Sequence, residues 1–260
     1  MRVLILLLTS LGVLPVLAGC GNHVTKQELL VGAASSLLPA LEELELLFEK
    51  ESRTDLIITY SASGVIARQI EQGAPIDVFL SADQILTAGM ARTGILLKDS
   101  IVTIGNGSLV GIRPQNGKTS RFVEANRIAI ANPETAPYGA AAKRFLESNG
   151  IWDQVAGRVV YAESALQALQ FVRTADADIG LVALSLVAQN HQGIERLPEN
   201  SYRAFQAELI PQIGAITPGS DQVVAARRFL SFLTSGEAQD IFKRHGYTPQ
   251  SSGHIEGVTE

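Results

Sequence analysis

One cysteine, one tryptophan, two methionines and four histidines are all that 260 residues hold of those types. With Cys20 alone, no internal disulfide can form and no thiol pair can support redox or metal chemistry. No two of His23, His191, His245 and His254 have metal-ligand spacing, which argues against a catalytic zinc site. No basic tract stands out and the formal net charge is −5, so a nucleic-acid role has no electrostatic support. There is no G-x-x-x-x-G-K-[ST] phosphate loop and no G-x-S-x-G nucleophile elbow. Beyond the N-terminus, no apolar stretch approaches the roughly 20 residues that a membrane span needs.

Apolar residues, by contrast, make up 46% of the chain, enough for a substantial core. The first of them form a leader. A basic start, Met1-Arg2, precedes an almost unbroken apolar run from Val3 to Val16, and Leu17-Ala18-Gly19-Cys20 closes it. That is the layout of a secretory signal, and its end resembles the lipobox of bacterial lipoproteins. The resemblance implies cleavage after residue 19 and a lipid on Cys20, holding the exported protein at the cell membrane or facing the periplasm. An uncleaved anchor is the alternative, though the run is short for one. Residues 20–27 then read as a polar tether and 251–260 as a mobile polar tail.

Between them strands and helices alternate. Apolar runs predict strands at Leu29–Val31, Leu56–Tyr60, Val78–Leu80, Leu109–Pro114, Arg127–Ala131, Val159–Tyr161 and Ile179–Ala183. Helical periodicity covers about 37–50, 65–72, 82–93, 140–148, 165–174, 222–233 and 237–245, with capping-box spacing from Thr234 to Glu237. Such alternation predicts an α/β fold with mainly parallel sheets, whose ligands sit beyond strand C-termini at helix N-termini.

Three turns of that kind share one chemistry. Ala33–Ser36, Ser61–Gly64 and Pro137–Gly139 are small, neutral and rich in N–H and O–H donors, without Lys, Arg, Asp or Glu. Unpaired N–H groups at a helix start suit an anion, and the hydroxyls of Ser36 and Ser63 add donors. About six charge-assisted bonds of roughly 1.5–3 kcal/mol each would suffice for micromolar binding. A serine before a helix is more commonly a simple N-cap. Arg68 reads as a solvated side chain, Asp77 and Asp83 as turn or capping residues, and Trp152 as a packing residue.

Taken together the motifs resemble the molybdate-binding proteins of bacterial ABC transporters. The likeness is carried by Ala33-Ala34-Ser35-Ser36-Leu37, by Tyr60-Ser61-Ala62-Ser63-Gly64 running into Ile66-Ala67-Arg68-Gln69-Ile70, and by Gly73-Ala74-Pro75-Ile76-Asp77-Val78-Phe79-Leu80-Ser81-Ala82-Asp83. Asn132-Pro133-Glu134 with Ala136-Pro137-Tyr138-Gly139, Glu163 to Leu169, and the C-terminal Glu237 to Tyr247 extend it over about residues 29–248. The resemblance implies two α/β lobes of the type II periplasmic-binding-protein fold, with the ligand in the cleft between them. Lobe I would be 28–106 plus 215–250, lobe II 107–214, and the chain would cross near Gly105-Asn106-Gly107 and near 210–215. The glycines there would ease a sharp change of direction.

The resemblance further implies that Ser36 and Ser63 bind a molybdate or tungstate ion through N–H and hydroxyl. Tyr138 and Ala165 would donate backbone N–H from lobe II. Ala183 stands where many members place a ligand-binding tyrosine, which leaves Tyr138, in the Pro-Tyr-Gly turn, as the candidate to compensate. The implied protein is a receptor rather than an enzyme, without cofactor or free metal cation, and its partner is a membrane permease with ATPase subunits. A receptor for another oxyanion such as sulfate is an alternative. A serine-dependent lipoprotein hydrolase using His191 or His245 as base, and a purely structural lipoprotein, are others.

Overall fold

The computed structural model describes residues 27–190, 192–197 and 209–249. The expected signal (1–19), Cys20, most of the tether, the tail at 251–260 and His23, His191 and His254 lie outside the described residues.

Two five-stranded sheets share one plan. In the first, β1 (Gln27–Ala34) lies between β2 (Thr54–Ser61) and β3 (Val78–Ser81), all parallel; β10 (Ile210–Ile216) then runs antiparallel between β3 and β4 (Val102–Gly107). In the second, β6 (Ile128–Ala131) lies between β7 (Val159–Ala162) and β8 (Ile179–Ala183), again parallel. There β5 (Leu109–Pro114) runs antiparallel between β8 and β9 (Ile194–Arg196). Both sheets are therefore mixed: four strands of each run one way, in keeping with the mainly parallel expectation, and the fifth, β10 or β5, runs against them. The reason is topological: β5 and β10 each enter a sheet from the other lobe and meet its third parallel strand from the opposite direction.

The crossings are themselves strands. Gly105-Asn106-Gly107 pairs with Gln212-Pro211-Ile210, so residues 210–214, expected in the second lobe, belong to the first sheet. Glycines and a central Gln hide this pattern from apolar periodicity. Neither Gly105 nor Gly107 has a positive φ, so neither uses the left-handed backbone that only glycine favours.

Helices pack on both sheets. α1 (Leu38–Glu51) carries Pro39 in its first turn and buries Ala40, Leu41, Leu44 and Phe48, one face at helical spacing. Removing a leucine or phenylalanine side chain from water stabilises by about 1.5–3 kcal/mol. α2 (Ser63–Glu71), α3 (Gln84–Arg92), α4 (Pro137–Ser148), the short α5 (Trp152–Val155), α6 (Ala165–Arg173), α7 (Val223–Leu233) and α8 (Gly236–Arg244) follow. α8 is capped by Ser235, whose hydroxyl accepts from the Ala238 N–H, rather than by Thr234 as the capping-box spacing predicts. Thr234 instead donates back to Ser231 and Leu230, the local bonding that keeps a hydroxyl from capping. One continuous cluster of buried apolar side chains includes residues of both sheets, from Leu29 and Val78 to Ala129 and Val182.

Candidate functional site

The strand ends of the two sheets face each other across a closed cleft. β1 runs through the single tight turn Ser35–Leu37 into α1, β2 through Ala62 into α2, β6 through residues 132–136 into α4, and β7 through Glu163 and Ser164 into α6. The helix starts at Ala34, Ala62 and Ala136 carry no side-chain cap; the Gly64 N–H is taken by the Thr135 carbonyl and Pro137 has none, which leaves the N–H groups of Ser63 and Tyr138 for another acceptor. Ala34, Ser35, Ser36, Ser61, Ala62, Ser63, Ala82, Ala136, Pro137, Tyr138 and Ala165 wall one cavity of about 10 Å³. Ser36, Ser63, Tyr138 and Ala165, dispersed over 130 positions of sequence, are thus brought together. No charged side chain and no histidine is among them.

The two serines are not N-caps of their own helices. Ser63 lies inside the first turn of α2, is 1% exposed, and its hydroxyl oxygen accepts from the Ala82 N–H at 3.0 Å. With that lone pair used, its hydrogen is left to donate. Ser36 is equally buried; its hydroxyl reaches Gln212 Oε1 over a long 3.4 Å, and Gln212 is itself held by donation to the Ile210 carbonyl at 2.8 Å. Ser164, by contrast, does cap α6, accepting from Gln167.

Tyr138 is buried, not a ring on the surface, and its hydroxyl finds no hydrogen-bond partner. Burial pushes its pKa well up and neighbouring Tyr247 adds to this; the nearby Ser36 side chain offsets part, at a geometry short of a hydrogen bond. Tyr247, which sequence reading saw only as part of a C-terminal motif, donates to the Ser36 carbonyl at 2.7 Å. Ser185 donates to the same carbonyl at 2.8 Å. Ser35 is another residue that the sequence reading did not single out; it lies in the wall and accepts weakly from Leu166 across the cleft. A second contact across the cleft runs from the Gly64 N–H to the Thr135 carbonyl at 2.9 Å, and a Cβ at Gly64 would lie 2.9 Å from that oxygen.

The remaining polar residues have structural roles. Asp77 accepts from the Leu30 N–H and the Ser220 hydroxyl, Asp83 caps α3, and Arg68 is exposed. Trp152 packs beside Phe122 and Phe145, with Lys143 over its ring. His245 is buried with Nε2 3.3 Å from Glu43. Among the described residues no group of His, Cys, Asp and Glu could hold a metal ion, and no helix is long and apolar enough to cross a membrane.

The family model for bacterial extracellular solute-binding proteins matches residues 29–248. The Bacillus subtilis (strain 168) protein YvgL, whose name describes an ABC transporter substrate-binding lipoprotein, is 30% identical over 248 residues, covering 90% of this chain and 93% of its own. The molybdate-binding protein ModA of Escherichia coli (strain K12) is 29% identical, with 89% and 93% covered. The solved structure of the Azotobacter vinelandii periplasmic molybdate-binding protein superposes with a TM-score of 0.76 at 30% identity, over 86% of this chain and all of that one. The chain belongs to the bacterial extracellular solute-binding protein family and has its two-lobed α/β fold.

Proposed function

We propose that this solute-binding protein is the receptor for a tetrahedral oxyanion, molybdate or tungstate, which it delivers to an ABC-type permease. The observation that carries this is the cavity wall: helix starts from both lobes and serine hydroxyls from the first, with no charged side chain of either sign. Donors alone suit a ligand that arrives fully deprotonated. Hydrogen phosphate brings an O–H that wants an acceptor, and the wall offers no carboxylate. The space in the closed cleft is scarcely one water-sized sphere, so the lobes must part to admit any ligand, and a compact ion needs the least opening. No His, Asp or Glu in the wall could act as base for Ser36 or Ser63, so the site favours capture over hydrolysis. The names of the Escherichia coli and Azotobacter relatives point to the same cargo.

In this reading Ser36 and Ser63 donate from the first lobe and the N–H groups of Tyr138 and Ala165 from the second. The ion meets all four only when the lobes are shut, so it draws the open–closed equilibrium toward closure. The closed form docks on the permease, and ATP is hydrolysed by a partner subunit. A lipid on Cys20 holds the receptor at the membrane, in line with the name of the Bacillus relative.

Calorimetric titration with molybdate, tungstate, sulfate and phosphate tests the reading. One-to-one binding of molybdate or tungstate, micromolar or tighter, with phosphate silent is the expected result. Tight sulfate binding instead would change the cargo, and no heat with any of them would overturn it.

A further inference from the structure

We infer that Ser185 is a positioning residue that couples closure of the cleft to the ligand-facing Ser36; this rests on the receptor reading above. The Ser36 carbonyl accepts two hydrogen bonds, from Tyr247 at 2.7 Å and from Ser185 at 2.8 Å. A carbonyl oxygen has two lone pairs, so both are used and the Ser36 peptide is fixed in one plane.

The two donors differ in where they are anchored. Tyr247 follows α8, its N–H bonds to the Phe242 carbonyl, and the next residue, Thr248, pairs with Asn106 of β4. It belongs to the same lobe as Ser36, so parting of the lobes does not itself separate the two. Ser185 sits in the tight turn Leu184–Leu186 that follows β8 in the second sheet. Its hydroxyl reaches Ser36 from the other sheet, and on this inference the bond breaks when the lobes part. Ser185 is 3% exposed and Ser36 is 1% exposed, so water is excluded from the bond once made. The Gly64–Thr135 and Leu166–Ser35 bonds also cross the cleft, but the first ends on backbone beside the site and the second, at a long 3.4 Å, on Ser35 rather than on Ser36. Closure therefore completes the orientation of Ser36 through Ser185, and a bound ion is released only as that bond breaks. The cost of losing it falls on dissociation of the ion, not on its arrival.

Stopped-flow kinetics on the full-length chain with molybdate test this, using Ser185→Ala, the near-isosteric Ser185→Cys, whose thiol is a weak donor, and Tyr247→Phe as contrast. Ser185→Ala is expected to raise the dissociation rate about fivefold, with the association rate within about twofold. Its ligand-free melting temperature stays put while the rise on adding molybdate shrinks. Ser185→Cys should follow Ala, since shape is kept and the donor is lost. Tyr247→Phe should lower melting with and without ligand alike. A wild-type dissociation rate in Ser185→Ala, or a Cys variant that behaves as wild type, overturns the inference and leaves the receptor standing. A wild-type chain that binds no molybdate overturns both.

Discussion

The hydroxyl of Tyr138 fills the space that a side chain at Gly107 would need: a Cβ there would lie 2.0 Å from the phenolic oxygen and 3.3 Å from the Tyr247 ring. A residue at the start of α4 in the second lobe is thus pressed against the strand by which the chain leaves the first. Gly107→Ala should destabilise by about 1–3 kcal/mol through overpacking. Tyr138→Phe, which removes the colliding oxygen, should recover part of that in the double variant. Thermal unfolding of the three proteins reads the cycle; strict additivity would show that the contact is not the cause.

Ser63→Ala should weaken oxyanion binding roughly ten- to a hundredfold, the worth of one charge-assisted hydrogen bond. The same change leaves the Ala82 N–H without its acceptor, so a small fall in melting temperature should accompany it. Calorimetry that returns the wild-type dissociation constant would remove Ser63 from the site.

Affinity for molybdate should be flat between about pH 6 and pH 9, because no carboxylate, histidine or lysine lines the cavity and tyrosines titrate far above that window. Titrations at three pH values across it suffice. A change of more than about threefold would mean that a charged group outside the wall governs binding.

Stability, unlike affinity, should fail at alkaline pH. Burial, the larger cause in each case, raises the pKa of Tyr138 and of Tyr247 above the ordinary 10.0. The unfolded chain therefore loses these protons first. The contribution is complete below about pH 10 and falls as pH rises toward the folded-state values, by about 1.4 kcal/mol per pH unit for each tyrosine. Denaturant titrations from pH 8 to 11.5 measure the slope, and Tyr247→Phe should reduce it by one residue's share. An unchanged slope in that variant would mean that Tyr247 is not protected in the native state.

Local order was legible in the residues themselves. The strands at 109–114 and 179–183 and helix α1 follow from apolar runs and period alone, since each buries a face that its own side chains define. β4, β9 and β10 were not legible. The glycines of β4, the Pro, Gln and Gly of β10 and the mere three residues of β9 carry no clear strand period, and they are strands because neighbours from distant sequence offer them hydrogen bonds. The serine turns could be seen to be rich in donors, and motif likeness pointed to Ser36, Ser63, Tyr138 and Ala165. Neither could show that Ser63 turns away from capping toward Ala82, nor that the Tyr138 hydroxyl ends buried and unpaired beside Gly107.

What the sequence determined by itself is chemical: alternating α/β elements and donor-rich neutral turns, both of them properties of residues close in the chain. What tertiary structure decided is coincidence in space. Ser36 meets Ser185 across 149 positions and Tyr247 across 211, and no local pattern encodes a distance of that kind. Those contacts exist only because two sheets, each stitched by a strand borrowed from across the cleft, bring their helix starts face to face.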